Sequence, residues 1–277
     1  MLAAITWAYL AWSILPVLLA VALSFNAGRS NSVLQGFGTA WWYGAPMGDP
    51  EGSLFTSPDL RSAILQSLVL TIGTTLLAVP LGTAFAIGLD RWRGRGARAA
   101  NATMLLSFVI PEIVLAVGFL YLIQYVYAFV PLGTASQLLA LVTLQVSFPV
   151  IVVRARLLAL GSEYEEAALD LGAPPREAIR RVLLPLLAPA ILTSAALVFS
   201  NAVDDFVTVA YLAGGAETQP LSVKIYVNVR GAPTPAVNAA ATLLLVLTTA
   251  AVAIGAAVYR RVARGQRTDL TELLAAR

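Results

Sequence analysis

Glu112, Asp204 and Asp205 are carboxylates set inside long apolar runs, where an ionised group costs on the order of 2.5 kcal/mol or more unless it faces water, a cavity or a partner. No basic residue lies within the same runs to act as a counter-ion. A cavity lined by these groups would attract cations and repel anions. Adjacent residues on a helix point about 100° apart, so at most one of Asp204 and Asp205 is expected to face such a cavity squarely. The structural alternative places the two aspartates near a membrane interface and has Glu112 bonding backbone groups freed by Pro111. Trp41 and Tyr121 join them as candidate pathway residues, with interfacial anchoring the competing role for Trp41, which is clustered with Trp42 and Tyr43. Covalent chemistry has little to work with. The chain has no His and no Cys, so disulfides, zinc sites and thiol or imidazole catalysis are excluded, and no catalytic or metal site is assigned.

The second constellation is Glu163 to Pro185, EYEEAALDLGAPPREAIRRVLLP, the longest charge-rich interval in the chain. It reads as two short helices broken at a turn. Tyr164, Ala167, Ala168 and Leu171 fall at i, i+3, i+4 and i+7, an apolar stripe narrow enough for a shallow groove. Gly172 is placed to take the left-handed conformation that closes a helix, and Pro174 and Pro175 cannot continue it. Pro175 suits the first position of a second helix, in which Ala178, Ile179, Val182 and Leu183 repeat the apolar spacing. Arg176, Glu177, Arg180 and Arg181 take its other face, with Glu177 and Arg181 paired at i, i+4. Pro185 is expected to stop it.

The elements that position these residues follow from composition. With 58% hydrophobic and 12% charged residues, the chain cannot cover itself with a polar surface and is an integral membrane protein. Six spans are expected, at about 1–25, 62–89, 104–127, 136–153, 186–212 and 235–259, in one transmembrane domain over 1–277. The first lacks a basic leader and a cleavage site and reads as an uncleaved span. A kink is expected near Pro80. Residues 26–59 read as an ordered loop at the interface, and Leu221 to Val229 as either a short strand or an amphipathic helix.

Basic residues orient the spans. All of the Lys and Arg except Arg29, Arg61, Lys224 and Arg230 fall in the 91–98 loop, in 154–181 or in the tail from Arg260 to Arg277. The positive-inside tendency makes that face cytoplasmic, with both termini on it. These short clusters suit orientation and anionic lipid headgroups, not nucleic acid. Lys224, the single Lys, follows no glycine-rich phosphate loop, so ATP would have to be hydrolysed by another polypeptide.

The spacing Glu166-Ala167-Ala168, three residues, Gly172, nine residues, Val182, one residue, Leu184-Pro185 resembles the EAA loop of ABC importer permeases. The stretch from Val203, VDDFVTVAYLAGGAETQPLSVKIYVNVRGAPTPAVNAAATLLL, with WWYG at Trp41 and PEIV at Pro111, is similar to the second permease subunit of spermidine/putrescine importers. The likeness runs over essentially the whole chain. It implies an all-α, six-span permease of the type I importer fold with a cytoplasmic coupling helix-turn-helix. It also implies that Glu166, Ala167, Ala168, Leu171, Gly172, Ala173 and Ile179 dock on an ATPase dimer, and that this dimer, not this chain, binds ATP and Mg. A second permease subunit, a heterodimer being favoured over a homodimer, and an extracytoplasmic binding protein complete the implied assembly in a bacterial inner membrane. Where the family often has aromatics this chain has Arg176 and Ile179, so part of the docking surface differs. The implied cargo is a polyamine, with another small amine or an amino-phosphonate as the alternative. From other classes, an intramembrane enzyme lacks the residues, and a stand-alone channel or secondary carrier leaves the helix-turn-helix unexplained.

Overall fold

The computed structural model describes residues 2–49, 52–92, 94–231 and 234–275. Of the basic clusters, Arg93 and Arg277 lie outside the described residues, as do the side chains of Arg95, Arg98, Arg264 and Arg267. The chain is helical: α1 Leu2–Ser24, α2 Ala40–Tyr43, α3 Pro58–Arg91, α4 Arg95–Val109, α5 Glu112–Tyr121, α6 Thr134–Gln145 and α7 Ser147–Leu160. Then follow α8 Glu163–Asp170, α9 Pro175–Glu177, α10 Leu184–Asp204, α11 Val207–Tyr211, α12 Leu221–Arg230 and α13 Pro235–Ala275. Among the described residues the only strand-like pairing is one bridge, Asn26 to Phe37. Five helical stretches are long and apolar enough to cross a membrane, and a shorter apolar one covers Glu112–Val126.

α3 is the centre post. Ser57 caps it by accepting from Leu60 N, Pro58 opens it, Asp59 stands in its first turn and Arg91 in its last, each at the end its charge favours. Its buried face is a row of small residues, Ala63, Ser67, Thr71, Thr74, Ala78, Gly82 and Ala86. Between apolar helices surrounded by lipid, small side chains allow the close backbone approach that dispersion requires. A Cβ at Gly82 would stand 2.4 Å from Pro149 Cγ and 2.8 Å from Val146 O, so α7 crosses α3 at that glycine. α10 packs on α3, α7 and α13, and α1 on α13. Gly255 of α13 meets α10 the same way, its Cβ position 2.7 Å from Ala196 Cβ.

Several expectations about the spans are corrected. The third span is interrupted: α4 ends at Val109, and α5 starts after Pro111, which has no N–H to continue the ladder. The fourth runs from Thr134 to Leu160 with a turn at Val146 in its middle. The fifth ends at Asp204, and Asp205 and Phe206 leave the helix before α11. Pro185 does not stop the second coupling helix. The residues before it, Ala178–Leu183, form a π-helical turn that leads straight into α10, and the wider turn relieves the clash a proline ring makes with the carbonyl four residues back. Pro80 sits inside α3 without ending it. Leu221–Arg230 is a helix.

The 26–57 loop is ordered by its own polar and aromatic groups. Asn26 donates to Ser30 O and Val33 O and accepts from Gln35 N, at 2.8, 2.9 and 2.7 Å. Trp42 stacks on Phe25 and donates to Ser24 O at 3.1 Å.

Candidate functional site

Three helix interruptions meet at one cleft of about 650 Å³, lined by Ile110 and Pro111, by Gln145, and by Asp205 and Phe206. Gln145 lies near the middle of the Thr134–Leu160 span, so the cleft sits near mid-depth. Irregular backbone at that depth is tolerated only where it is buried in protein or lines a cavity.

Glu112, Asp204 and Asp205 all line this cleft, and among the described residues no basic one lines it. Glu112 occupies the first turn of α5, held there because Pro111 begins the helix. Asp204 is the last residue of α10. Asp205 turns back on its own backbone: its Oδ1 accepts from Thr208 N at 3.1 Å and Val209 N at 3.3 Å, which starts α11. Its carbonyl oxygen accepts from Ser222 Oγ of α12 at 2.8 Å. α5 packs against α11, which brings Glu112 and Asp205 to the same cleft. Like charges that share a cleft repel each other, and a cation placed among them reduces that repulsion. Contrary to the helical-wheel expectation, both aspartates border the cleft. The helix ends between them, so the 100° rule no longer applies.

Apolar walls complete the space. Phe108 and Phe148 meet edge to face at 5.0 Å, and Phe206 and Leu115 line the same cleft. Gln145 adds an amide with little exposure whose Oε1 has no hydrogen-bond partner.

A second polar layer, which the sequence reading passed over, holds the breaks in place. Gln137 of α6, fully buried, donates to Val209 O at 2.8 Å and Thr218 O at 3.0 Å and accepts from Gln66 Nε2 of α3 at 2.8 Å. Ser67 Oγ accepts from Leu221 N at 2.8 Å and starts α12. The available signal was amide and hydroxyl groups inside apolar runs, which are retained only where they find partners.

Trp41 and Tyr121 do not join the cleft. Trp41 is 3% exposed in the packing of the 26–57 loop against α3, α12 and α13, with its indole N–H donated to Gly28 O at 3.0 Å. Tyr121 is exposed and stacks on Tyr125 at 5.9 Å, on the far part of α5.

At the other candidate site the α8 hairpin projects from the ends of α7 and α10. Glu163, Glu165 and Glu166 fill its first turn, the end at which a helix favours acids. The hairpin closes as the spacing predicts. Gly172 has φ +83°, its N–H bonds Leu169 O at 2.9 Å, and Ala173 N bonds Ala168 O at 3.1 Å, the paired bonds of a Schellman ending. Arg91 at the end of α3 holds Glu165 by both carboxylate oxygens, at 2.5 and 2.6 Å. Glu177 and Arg181 pair at 3.6 Å. Below the hairpin, Leu183 and Leu187 pack with Ala86, Val153 and Leu157.

Most of the apolar stripe is left uncovered by the described residues. Leu171 is 90% exposed, and Tyr164, Glu166, Ala167 and Gly172 are exposed with it, while Ala168, Ala173 and Ile179 are half-buried behind them. A leucine presented to solvent at the tip of a tightly closed turn is a feature of interaction surfaces.

Residues 78–264 match the family described as binding-protein-dependent transport system inner membrane component. The chain is 32% identical over 257 residues to the spermidine/putrescine transport system permease protein PotC of Haemophilus influenzae, covering 93% of this chain and 94% of that one. It is also 32% identical over 215 residues to the molybdenum transport system permease protein ModB of Mycobacterium bovis, covering 73% and 81%. In fold it is similar to a chain of a bacterial ABC transporter involved in the import of the acidic polysaccharide alginate, with TM-score 0.70 and 19% identity over 94% of this chain and 95% of that one. With the whole-length match to a permease, the exposed hairpin and the broken-helix cleft, the chain belongs to the binding-protein-dependent inner-membrane components: it is a multi-pass permease subunit of an ABC importer, whose ATPase is a separate polypeptide.

Proposed function

We propose that this permease passes polyamines, delivered by an extracytoplasmic binding protein, along a pathway shared with a second, related permease subunit. The observation that carries this reading is the cleft with Glu112, Asp204 and Asp205 around one space and, among the described residues, no basic one in its lining. Percentage identity by itself does not choose the cargo, since relatives named for spermidine/putrescine and for molybdenum are both 32% identical, although the match to the first runs over 93% of this chain and that to the second over 73%. Charge favours the cation. A polyamine pairs ammonium groups with methylene stems, which suits carboxylates set among Phe108, Phe148, Phe206 and Leu115. An amino-phosphonate would bring an anion that nothing basic in the lining receives.

The exposed stripe at Leu171 and Gly172, with Glu166, Ala167, Ala168, Ala173 and Ile179, is the surface we assign to docking on the ATPase dimer, which holds ATP and Mg. That docking puts the hairpin and both termini in the cytoplasm, as does the distribution of arginines. The broad exposed apolar surface of α4 and α5, including Val109, Ile113 and Val114, borders the cleft and supports a partner permease there, a heterodimer by the resemblance to two-permease importers.

The test is uptake of radiolabelled spermidine and putrescine by the assembled transporter carrying Glu112→Gln, Asp204→Asn or Asp205→Asn. Loss of one charged contact in a desolvated site is expected to lower uptake roughly ten- to hundredfold. Near-normal uptake in all three variants would leave these carboxylates as structural groups and remove the case for a cation pathway.

A further inference from the structure

Beside the hairpin a groove of about 440 Å³ opens between the end of α3 and the start of α4, away from the cleft. Ala84, Phe85, Gly88 and Leu89 form one wall, Ala100, Thr103 and Met104 the other, and Trp92 closes the hairpin end. Among the described lining residues Thr103 supplies the only polar side chain apart from the Trp92 indole N–H, and its hydroxyl is already spent on Ala99 O at 3.0 Å. The depth comes from small residues. A Cβ at Gly88 would meet nothing within 4 Å, so the groove is open where that side chain is missing. The Trp92 ring lies on Gly94 and Gly96, whose Cβ positions would stand 2.6 Å from it.

The sequence at this mouth is RWRGR, with Trp92 flanked by Arg91 and Arg93 and with Arg95 opening α4. A basic residue at a helix N-terminus opposes the helix dipole, so helix stability does not explain Arg95. An apolar slot ending in a tryptophan and a run of arginines has the order of a phospholipid, acyl chain first and anionic headgroup at the interface. We propose that this groove binds one acyl chain of an anionic phospholipid, with its headgroup at the Trp92 end, where the sequence carries Arg91, Arg93 and Arg95. Arg91 also holds Glu165 of α8, so the bound lipid lies one residue from the tie between α3 and the hairpin.

The experiment uses the assembled transporter in nanodiscs of equal parts phosphatidylcholine and phosphatidylglycerol, with a trace of either lipid carrying a photoreactive diazirine on its chain. Label from phosphatidylglycerol is expected on the groove peptides of α3 and α4, in excess of label from phosphatidylcholine. Gly88→Leu, which adds a side chain at a position where a Cβ meets nothing within 4 Å, should abolish it. Arg93→Gln with Arg95→Gln should leave chain labelling but lower the preference for phosphatidylglycerol about fivefold per charge removed. Equal labelling by the two lipids, labelling unchanged by Gly88→Leu, or no labelling because another subunit covers the groove would each overturn the proposal.

Discussion

Gln137 has no solvent exposure and spends its whole amide on neighbours, donating to Val209 and Thr218 carbonyls and accepting from Gln66. Gln137→Leu keeps the volume and strands those partners, at about 1–3 kcal/mol for each buried group left without a bond. The expected result is a Tm lower by several degrees in detergent, with the loss falling on α11 and the loop to α12. Glu112 of the cleft belongs to the opposite class, whereas the Asp205 carboxyl also holds the start of α11. Glu112→Gln keeps its size and leaves no tight bond broken, so it is expected to leave Tm nearly unchanged while uptake falls. Measuring both quantities on both variants separates the residues that hold the breaks from those that meet the cargo, and a large Tm loss in Glu112→Gln would move that residue to the first group.

Two glycines separate coupling from folding at the scale of elements. Gly172 closes α8 at φ +83° with open space where a side chain would go. Gly172→Val therefore costs about 1–2 kcal/mol of local strain in an exposed turn and adds bulk on the docking surface. Assembly is expected to survive while substrate-stimulated ATP hydrolysis in proteoliposomes is lost, and normal stimulation would remove the hairpin from the coupling role. Gly82 has ordinary helical geometry but no room, with Pro149 against it. Gly82→Leu pushes α3 from α7, an overpacking cost of about 1–3 kcal/mol or more. Its expected phenotype is low yield of folded protein, read by size-exclusion chromatography. The legible glycine was Gly172, since Pro174 and Pro175 beside it announce a turn. Gly82 became readable only with Pro149, distant in sequence, placed against it.

The whole molecule presents a half-enclosed cleft. Its cleft is open on the side of α4 and α5, where apolar side chains stay exposed, and its hairpin stripe is bare. Orientation is testable in this Cys-free chain by single cysteines at Ser32 in the ordered loop and Arg260 in α13, both exposed. An impermeant reagent added to whole cells is expected to label Ser32→Cys and spare Arg260→Cys, and the reverse would invert the topology. Ser53 is no substitute for Ser32, because it is buried and shares a 2.7 Å hydrogen bond with Thr56.

Sequence alone determined the membrane class, the hairpin with its left-handed glycine, the Glu177 to Arg181 pair and the identity of three intramembrane carboxylates. All of these rest on local chemistry: hydropathy over a span, turn residues beside prolines, i, i+4 spacing, and the cost of burying charge. Tertiary structure alone decided where the spans break, that Glu112, Asp204 and Asp205 share one cleft, and that Trp41 is core. A run such as 186–212 reads as one apolar helix because hydropathy is blind to a backbone interruption. The break after Asp204 is held by partners that hydropathy does not report: Ser222 bonds Asp205 O, Gln137 bonds Val209 O, and the Asp205 carboxyl bonds Thr208 N.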